Sequence, residues 1–213
     1  MGRKQVPSLV KDEKLIQKRR EEMVKAAVIL FKDKGFHRTT TREIAKAAGF
    51  SIGTLYEYIR TKEDVLYLVC DSIYDEVRSR LQSEIVMDQP GINRLKEAIA
   101  AYFKVMDEMQ DEVLVMYQEA KSLSDEALPY VLRKEIEMTS MFEKLIQRSV
   151  DAGNLNLTEK EVNLLAHNIM LQGQMWTFRR WILQKEHTLE SYTQFQIQIL
   201  LNGIAYDQPT NQV

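Results

Sequence analysis

Between residues 39 and 62 the chain gathers short hydroxyls, phenols and cations: Thr39-Thr40-Thr41-Arg42, then Ser51, Gly53-Thr54, Tyr56 and Tyr58, then Lys62. None of these pairs with a base and an orienting acid, so nucleophilic catalysis is not their chemistry. They can bond a polyanion and its polar edges. Threonine and tyrosine hydroxyls, arginine and lysine reach phosphate oxygens, and a threonine offers a base edge its hydroxyl and a thymine its methyl. Gly53 beside Thr54 leaves room for close approach. Each residue also has a plainer use: Thr39, Thr40 and Thr41 as helix caps, Tyr56 as core packing, Arg42 and Lys62 as solvated surface.

Short helices must present these side chains. Apolar positions Leu15, Met23, Ala26, Ala27, Leu30 and Phe31 recur at helical spacing over about 11–34, and Gly35 ends that run. Thr40 and Glu43 stand at capping-box spacing and open a helix that stops at Gly49. Ser51 caps a second short helix through Tyr58, and 60–62 form a connector. Helices this short need a third to cover their apolar faces. Ala27, Leu30 and Phe31, Ile44, Ala45 and Ala48, and Leu55 and Ile59 supply that cover, which makes a helix-turn-helix whose second short helix enters the major groove of DNA.

Charge agrees with this placement. Residues 1–62 hold 15 Lys+Arg against 7 Asp+Glu, a net of +8, whereas the remaining 151 hold 14 against 24, a net of −10, within a 213-residue chain of formal charge −2. A basic head on an acidic body directs nucleic acid to one end. A membrane surface would attract the same cations, but the turn punctuation after residue 35 does not suit a helix lying on lipid. No apolar run is long enough for a membrane helix and no signal-peptide core is present, so a cytoplasmic location is expected. The single Cys70 is read as buried packing before redox sensing, and with His37, His167 and His187 scattered through unrelated segments no metal site is expected. No Gly-rich phosphate loop or nucleophile motif occurs. An enzyme and a cofactor are therefore not expected.

Beyond residue 62 the helices lengthen: about 63–83 with the stripe Leu66, Val69, Ile73, Val77 and Leu81, from a Pro90-Gly91 turn to about 109, 111–123, 124–152, from the Thr158/Glu161 capping box to about 183, and 189–206. The chain is expected to be all-α. Residues 1–62 form a basic arm and reading head, 63–206 an effector-binding and dimerisation domain, and 207–213 a polar tail.

The segment from Ala26-Ala27 through Leu30-Phe31, Gly35-Phe36, Thr40-Thr41, Ile44-Ala45, Ala48-Gly49, Ser51, Gly53-Thr54-Leu55-Tyr56 and Tyr58 to Lys62-Glu63 and Leu66 resembles the TetR family of bacterial transcription regulators. The resemblance implies that Thr41, Arg42, Tyr56, Tyr58 and Lys62 hold the phosphate backbone of double-stranded palindromic operator DNA, while Ile52, Gly53 and Thr54 face bases. Phe50 and Ile59 depart from the family's usual valine and phenylalanine, two changes complementary in bulk. The resemblance also places a homodimer interface on the last two helices, with Leu164, Leu171, Met175, Phe178, Phe195 and Ile199 as candidates; an intramolecular core is the rival use. Gly173 would let helices approach closely there, or merely relax its helix.

Soft and aromatic groups in the middle helices suit an apolar effector: Tyr102, Phe103, Met106, Met116, Tyr117, Met138 and Phe142. They equally suit ordinary core filling. Tyr117-Gln118-Glu119-Ala120-Lys121-Ser122-Leu123 is similar to a stretch of TetR-like regulators of fatty-acid degradation that respond to long-chain acyl-CoA. That similarity implies a repressor released by acyl-CoA, with Lys121, Arg133, Arg179 or Arg180 meeting CoA phosphates. Two alternatives remain: a regulator of efflux or detoxification answering apolar drugs, with Glu119 as the buried carboxylate for a cationic one, and an architectural DNA-binding protein without an effector.

Overall fold

The computed structural model of the chain describes residues 6–84 and 91–205. Ten α-helices account for nearly all of it, and no strand occurs among the described residues: α1 Glu13–Lys34, α2 Thr41–Ala47, α3 Ile52–Tyr58, α4 Lys62–Glu84, α5 Ile92–Glu108, α6 Gln110–Glu119, α7 Leu128–Asp151, α8 Glu159–Phe178, α9 Arg180–Glu186 and α10 Leu189–Ala205. The expected all-α architecture is thus the observed one. Pro90, the start of the arm at 1–5 and the tail at 207–213 lie outside the described residues.

Caps set the boundaries in the head. Asp12 accepts from Lys14 N and Leu15 N at the start of α1, and Gly35 closes that helix at φ 80°, a conformation that favours glycine. Thr40 and Glu43 make the full capping box at α2, and Ser51 accepts from Thr54 N at 3.0 Å at α3. The connector before α4 is more ordered than its sequence suggests. Buried Asp64 accepts from Arg60 N and Thr61 N, each at 3.0 Å, while Thr61 Oγ1 accepts from Asp64 N.

Three helix ends differ from expectation. The helix expected over 111–123 ends at Glu119 and tightens into a 3-10 turn, Ala120–Ser122. The next starts at Leu128 rather than near 124, because Ser124 first closes a turn by accepting from Ala127 N and Leu128 N. Pro129 then occupies the first helical turn, where a missing N–H costs nothing. The helix expected to run to 183 breaks at Arg179, where the backbone turns to φ −104°, ψ 18°. Just before the break, Trp176 Nε1 donates to Asp107 at 2.7 Å and Thr177 Oγ1 to Met106 O at 3.0 Å, which ties the last turn of α8 to α5.

The described chain divides into two compact units. One comprises residues up to 76 together with 111–135, and the other comprises 77–110 with 136 onward. In the first, Met23, Ala27, Phe31, Phe36, Ile44, Ala45, Leu55, Ile59 and Leu66 form the core. Ile59 is fully buried, whereas Phe50 is only partly covered and carries the Arg19 guanidinium 5.1 Å above its ring, so its added bulk lies at the core's edge rather than filling it. Cys70 is buried. Desolvation, with the neighbouring Asp71 adding to it, pushes the thiol up to about 12, which keeps it protonated and unreactive.

The second unit centres on an aromatic cluster. Tyr102 meets Phe142 edge-on at 5.4 Å, Phe103 meets Tyr192 at 5.6 Å, and Trp176 meets Tyr192 at 5.0 Å. Tyr102 donates to Met170 O and Tyr192 to Gln172 O, so the buried phenols are satisfied. Gly173 serves this intramolecular packing. A Cβ there would lie 2.3 Å from Tyr102 Cε1, so the close approach it permits is that of α8 to the α5 tyrosine.

Candidate nucleic-acid interface

The reading head is built around the turn between α1 and α2. Past Gly35 the backbone of residues 36–39 leaves helical geometry, and its polar groups need partners. Lys62, at the first position of α4, supplies them. Its ammonium donates to Phe36 O at 2.9 Å, Thr39 O at 3.0 Å and His37 O at 3.3 Å, and it stands 4.2 Å over the Phe36 ring. Thr39 is buried, and its hydroxyl donates to Gly35 O at 2.9 Å.

With the turn held, α2 projects Thr41 and Arg42 from its N-terminal end. Thr40 is occupied: it caps the helix by accepting from Glu43 N, while Glu43 Oε2 accepts from Thr40 N and Thr40 Oγ1. A hydrogen bond from Lys34, joined by those from Thr40, holds the Glu43 carboxyl down at about 2. Thr41 Oγ1 and Tyr56 OH lie 3.1 Å apart, sharing a hydrogen bond from α2 to α3. Tyr56 is 45% exposed, Arg42 is exposed and Thr41 is partly covered.

The predicted base-facing residues occupy the first turn of α3. Ile52 and Thr54 are partly covered and Gly53 is exposed. A Cβ on Gly53 would meet only Ser51 Oγ, at an ordinary 3.6 Å, so nothing inside the chain requires glycine. Thr54 Oγ1 shares a 2.9 Å hydrogen bond with Ser51 Oγ, which orients the hydroxyl while leaving it acceptor capacity.

Two predicted phosphate contacts are placed differently. Tyr58 is 4% exposed, its ring packed into the core of the head. Lys62 has three N–H donors, and the three turn carbonyls take them. The Tyr58 ring and the Lys62 ammonium thus take part in building the head.

Other contributors escape sequence reasoning. Arg20 of α1 donates to Tyr58 O, at the end of α3, and to Val6 O at 2.6 Å. Leu9 N and Ser8 Oγ donate to Glu57 O at 2.8 and 2.9 Å. Residues 6–10, expected as part of a flexible arm, are thereby fastened against the C-terminal end of α3. Each of these bonds ends on a backbone carbonyl, from 14 to 49 residues distant from its donor, and backbone carbonyls leave no mark in a sequence pattern.

The effector candidates fall in both compact units. Met116, Tyr117, Glu119 and Lys121 belong to the first, where Tyr117 is 64% exposed and Glu119 Oε1 accepts from Phe36 N at 3.0 Å. Tyr102, Phe103, Met106, Met138 and Phe142 belong to the second and are buried, the three aromatics within its central cluster. Arg179 is exposed, its guanidinium 5.5 Å from the Trp181 ring; Arg180 is partly covered, and Arg133 lies 5.9 Å from Tyr130. Of the dimerisation candidates, Leu164, Leu171 and Met175 on α8 and Phe195 and Ile199 on α10 are exposed, and Phe178 is partly covered. No group of three or more His, Cys, Asp or Glu among the described residues could hold a metal ion. No described helix is long and apolar enough to cross a membrane.

Comparison with known proteins bears on the same two parts. Residues 23–67 match the model of bacterial regulatory proteins of the tetR family, and residues 88–201 match that of the tetracyclin repressor-like C-terminal domain. The HTH-type transcriptional regulator HbdR of Aromatoleum sp. (strain CIB) is 29% identical over 196 residues, spanning 92% of this chain and 85% of that protein. Among solved structures, a tetR-family regulatory protein from Rhodococcus RHA1 superposes with a TM-score of 0.78 at 23% identity, over 88% of this chain and 97% of that one. AibR, solved with isovaleryl coenzyme A and operator DNA, superposes with a TM-score of 0.73 at 17% identity, over 86% and 98%. These relatives are regulators rather than enzymes, and the chain itself belongs to the tetR family of bacterial regulatory proteins.

Proposed function

We propose that this protein is a cytoplasmic repressor that occupies a palindromic operator as a homodimer and leaves it when its helical body takes up a long-chain acyl-CoA, so controlling genes of fatty-acid metabolism. The observation that carries the DNA half is the open edge where Thr41 and Tyr56 join across α2 and α3, beside the uncluttered first turn of α3. Thr41, Arg42 and Tyr56 take the phosphate backbone, and Ile52, Gly53 and Thr54 meet base edges in the major groove.

The dimer is supported by the exposed side chains of Leu164, Leu171, Met175, Phe195 and Ile199. Large apolar groups at helical spacing on α8 and α10 cost solvation unless a second copy covers them. The effector class is supported by AibR, whose structure contains a coenzyme A thioester and operator DNA. Within the second unit, Tyr102, Phe103, Met106, Met138 and Phe142 supply adaptable apolar groups for an acyl chain, and Arg179 and Arg180 supply charge for CoA phosphates. A cationic drug is the poorer fit, because the carboxylate it would want, Glu119, already accepts from Phe36 N.

Sedimentation of the full chain, alone and with a duplex carrying the palindrome upstream of its own gene, tests this reading. A dimer that binds the palindrome more tightly than random DNA supports it. A monomer, or equal affinity for both duplexes, contradicts it.

A further inference from the structure

Glu119 is the last residue of α6, beyond the head in sequence and in a stretch whose resemblance to acyl-CoA-responsive regulators points to effector binding. It instead reaches back 83 residues, where its Oε1 accepts from Phe36 N at 3.0 Å. The contact is close: a Cβ on Gly35 would lie 3.4 Å from the same oxygen, and Gly35, at φ 80°, is the residue that ends α1. A carboxylate receiving a backbone N–H makes one of the stronger hydrogen bonds available to a protein.

The bond does not stand alone. Lys32, a turn before Gly35, pairs with Asp111 at the start of α6. His37 Nε2 and Ser122 Oγ, just past the end of α6, lie 3.1 Å apart. The end of α1 and the turn after it are therefore joined to α6 and the adjoining 3-10 turn at three points, and residues 111–135 belong to the same compact unit as the head. Lys62 collects the carbonyls of that turn, and Glu119 secures its first amide. The N-terminus of α2, with Thr41 and Arg42, comes directly after the turn.

We propose that Glu119 is a positioning residue for DNA reading: its bond to Phe36 N, across the end of α1, sets the turn that aims the N-terminus of α2, and so makes the placement of that helix depend on where α6 ends. The proposal rests on the reading of α2 and α3 as the DNA-contacting pair. It moves Glu119 from the effector side of the protein to the head. It also gives α6 a physical means of altering operator affinity without touching DNA, since a shift of its C-terminal turn breaks or strains one identifiable bond.

The test compares full-length wild type with Glu119→Ala, Glu119→Asp and Glu119→Gln, measuring operator affinity by fluorescence anisotropy, amide hydrogen exchange at Phe36, and thermal unfolding. Glutamine keeps an acceptor oxygen at the same reach; aspartate keeps the charge but is one methylene short. Loss of the bond in Ala and Asp should speed exchange at Phe36 and weaken operator binding roughly tenfold, with most of both effects reversed in Gln. A merely structural role would lower the unfolding temperature without this selective rescue of affinity. Should the alanine variant fail to fold, the Asp–Gln pair carries the comparison. Unchanged exchange at Phe36 in the Asp variant, or faster exchange with operator affinity equal to wild type, overturns the proposal. Failure of wild type to bind the operator overturns the reading of the head, and this inference with it.

Discussion

Thr41 and Tyr56 share a hydrogen bond of 3.1 Å between their hydroxyls, although fifteen residues and a tight turn separate them in the chain. The bond fixes the direction of the exposed phenol, and the hydroxyl that accepts in it keeps its own proton to donate to a phosphate. Tyr56→Phe removes one hydroxyl and keeps the ring. Operator and random duplex should both bind about fivefold more weakly, since a phosphate contact carries no sequence information. Anisotropy on the two duplexes checks this; a loss confined to the operator would make Tyr56 a base reader instead.

Gly53 gives the opposite signature. Its Cβ would meet no close neighbour within the chain, so Gly53→Ala should leave folding intact and, by helix propensity, stabilise by up to about 1 kcal/mol. Operator binding should nevertheless fall if, as proposed, the added methyl occupies the face of α3 that meets base edges. Urea unfolding and anisotropy measured together separate the two effects. A variant that is both stabler and fully operator-competent would remove Gly53 from the interface.

Lys62 distinguishes clamping a phosphate from building the head. A phosphate clamp contributes to the salt dependence of binding, and its removal lowers the slope of log affinity against log salt by about one. Here the ammonium holds three turn carbonyls. Lys62→Met should therefore cost about 2 kcal/mol of stability by orphaning those groups, with the salt slope unchanged. A smaller slope with stability intact would restore the phosphate role.

Glu43 predicts a pH response. Its carboxyl, held down to about 2 from an ordinary 4.5 chiefly by the Lys34 hydrogen bond and then by Thr40, stabilises the folded head whenever it is charged. A depressed carboxylate pKa makes its contribution complete above 4.5 and lost as pH falls from there through about 2. The difference in thermal midpoint between wild type and Glu43→Gln should accordingly be constant near neutral pH and shrink across that acid window. A difference that grows as the solution is acidified would have the sign wrong.

Much of this head was legible in the sequence because its determinants are local. Thr40 with Glu43, Ser51 before Ile52 and glycine at 35 and 49 act over a few residues, and each marks a helix end where the structure has one. The apolar periodicity of α4 likewise identified Leu66, Val69, Ile73, Val77 and Leu81, all buried. Tertiary contacts lie beyond the reach of local pattern. Nothing nearby in sequence shows that the Tyr58 ring faces the core. Nothing near Glu119 in sequence shows that it accepts from a backbone amide in a distant turn. The break at Arg179 was invisible too, since neither glycine nor proline marks it.

The same limit applies to the body. Aromatic and methionine residues at helical spacing read equally as packing or as a pocket, and Tyr102, Phe103 and Phe142 are packed against one another in this conformation. An acyl chain entering there would have to displace such contacts, which would couple its uptake to a rearrangement of the helices.

The most direct test titrates palmitoyl-CoA into the preformed complex of the full-length protein and its own upstream palindrome, with release of labelled DNA read by anisotropy and heat of binding by calorimetry. Saturable binding to the protein with progressive release of the duplex is the predicted result, with no release by free coenzyme A. Full retention of the duplex at saturating palmitoyl-CoA, with no heat of binding, would contradict a repressor released by acyl-CoA.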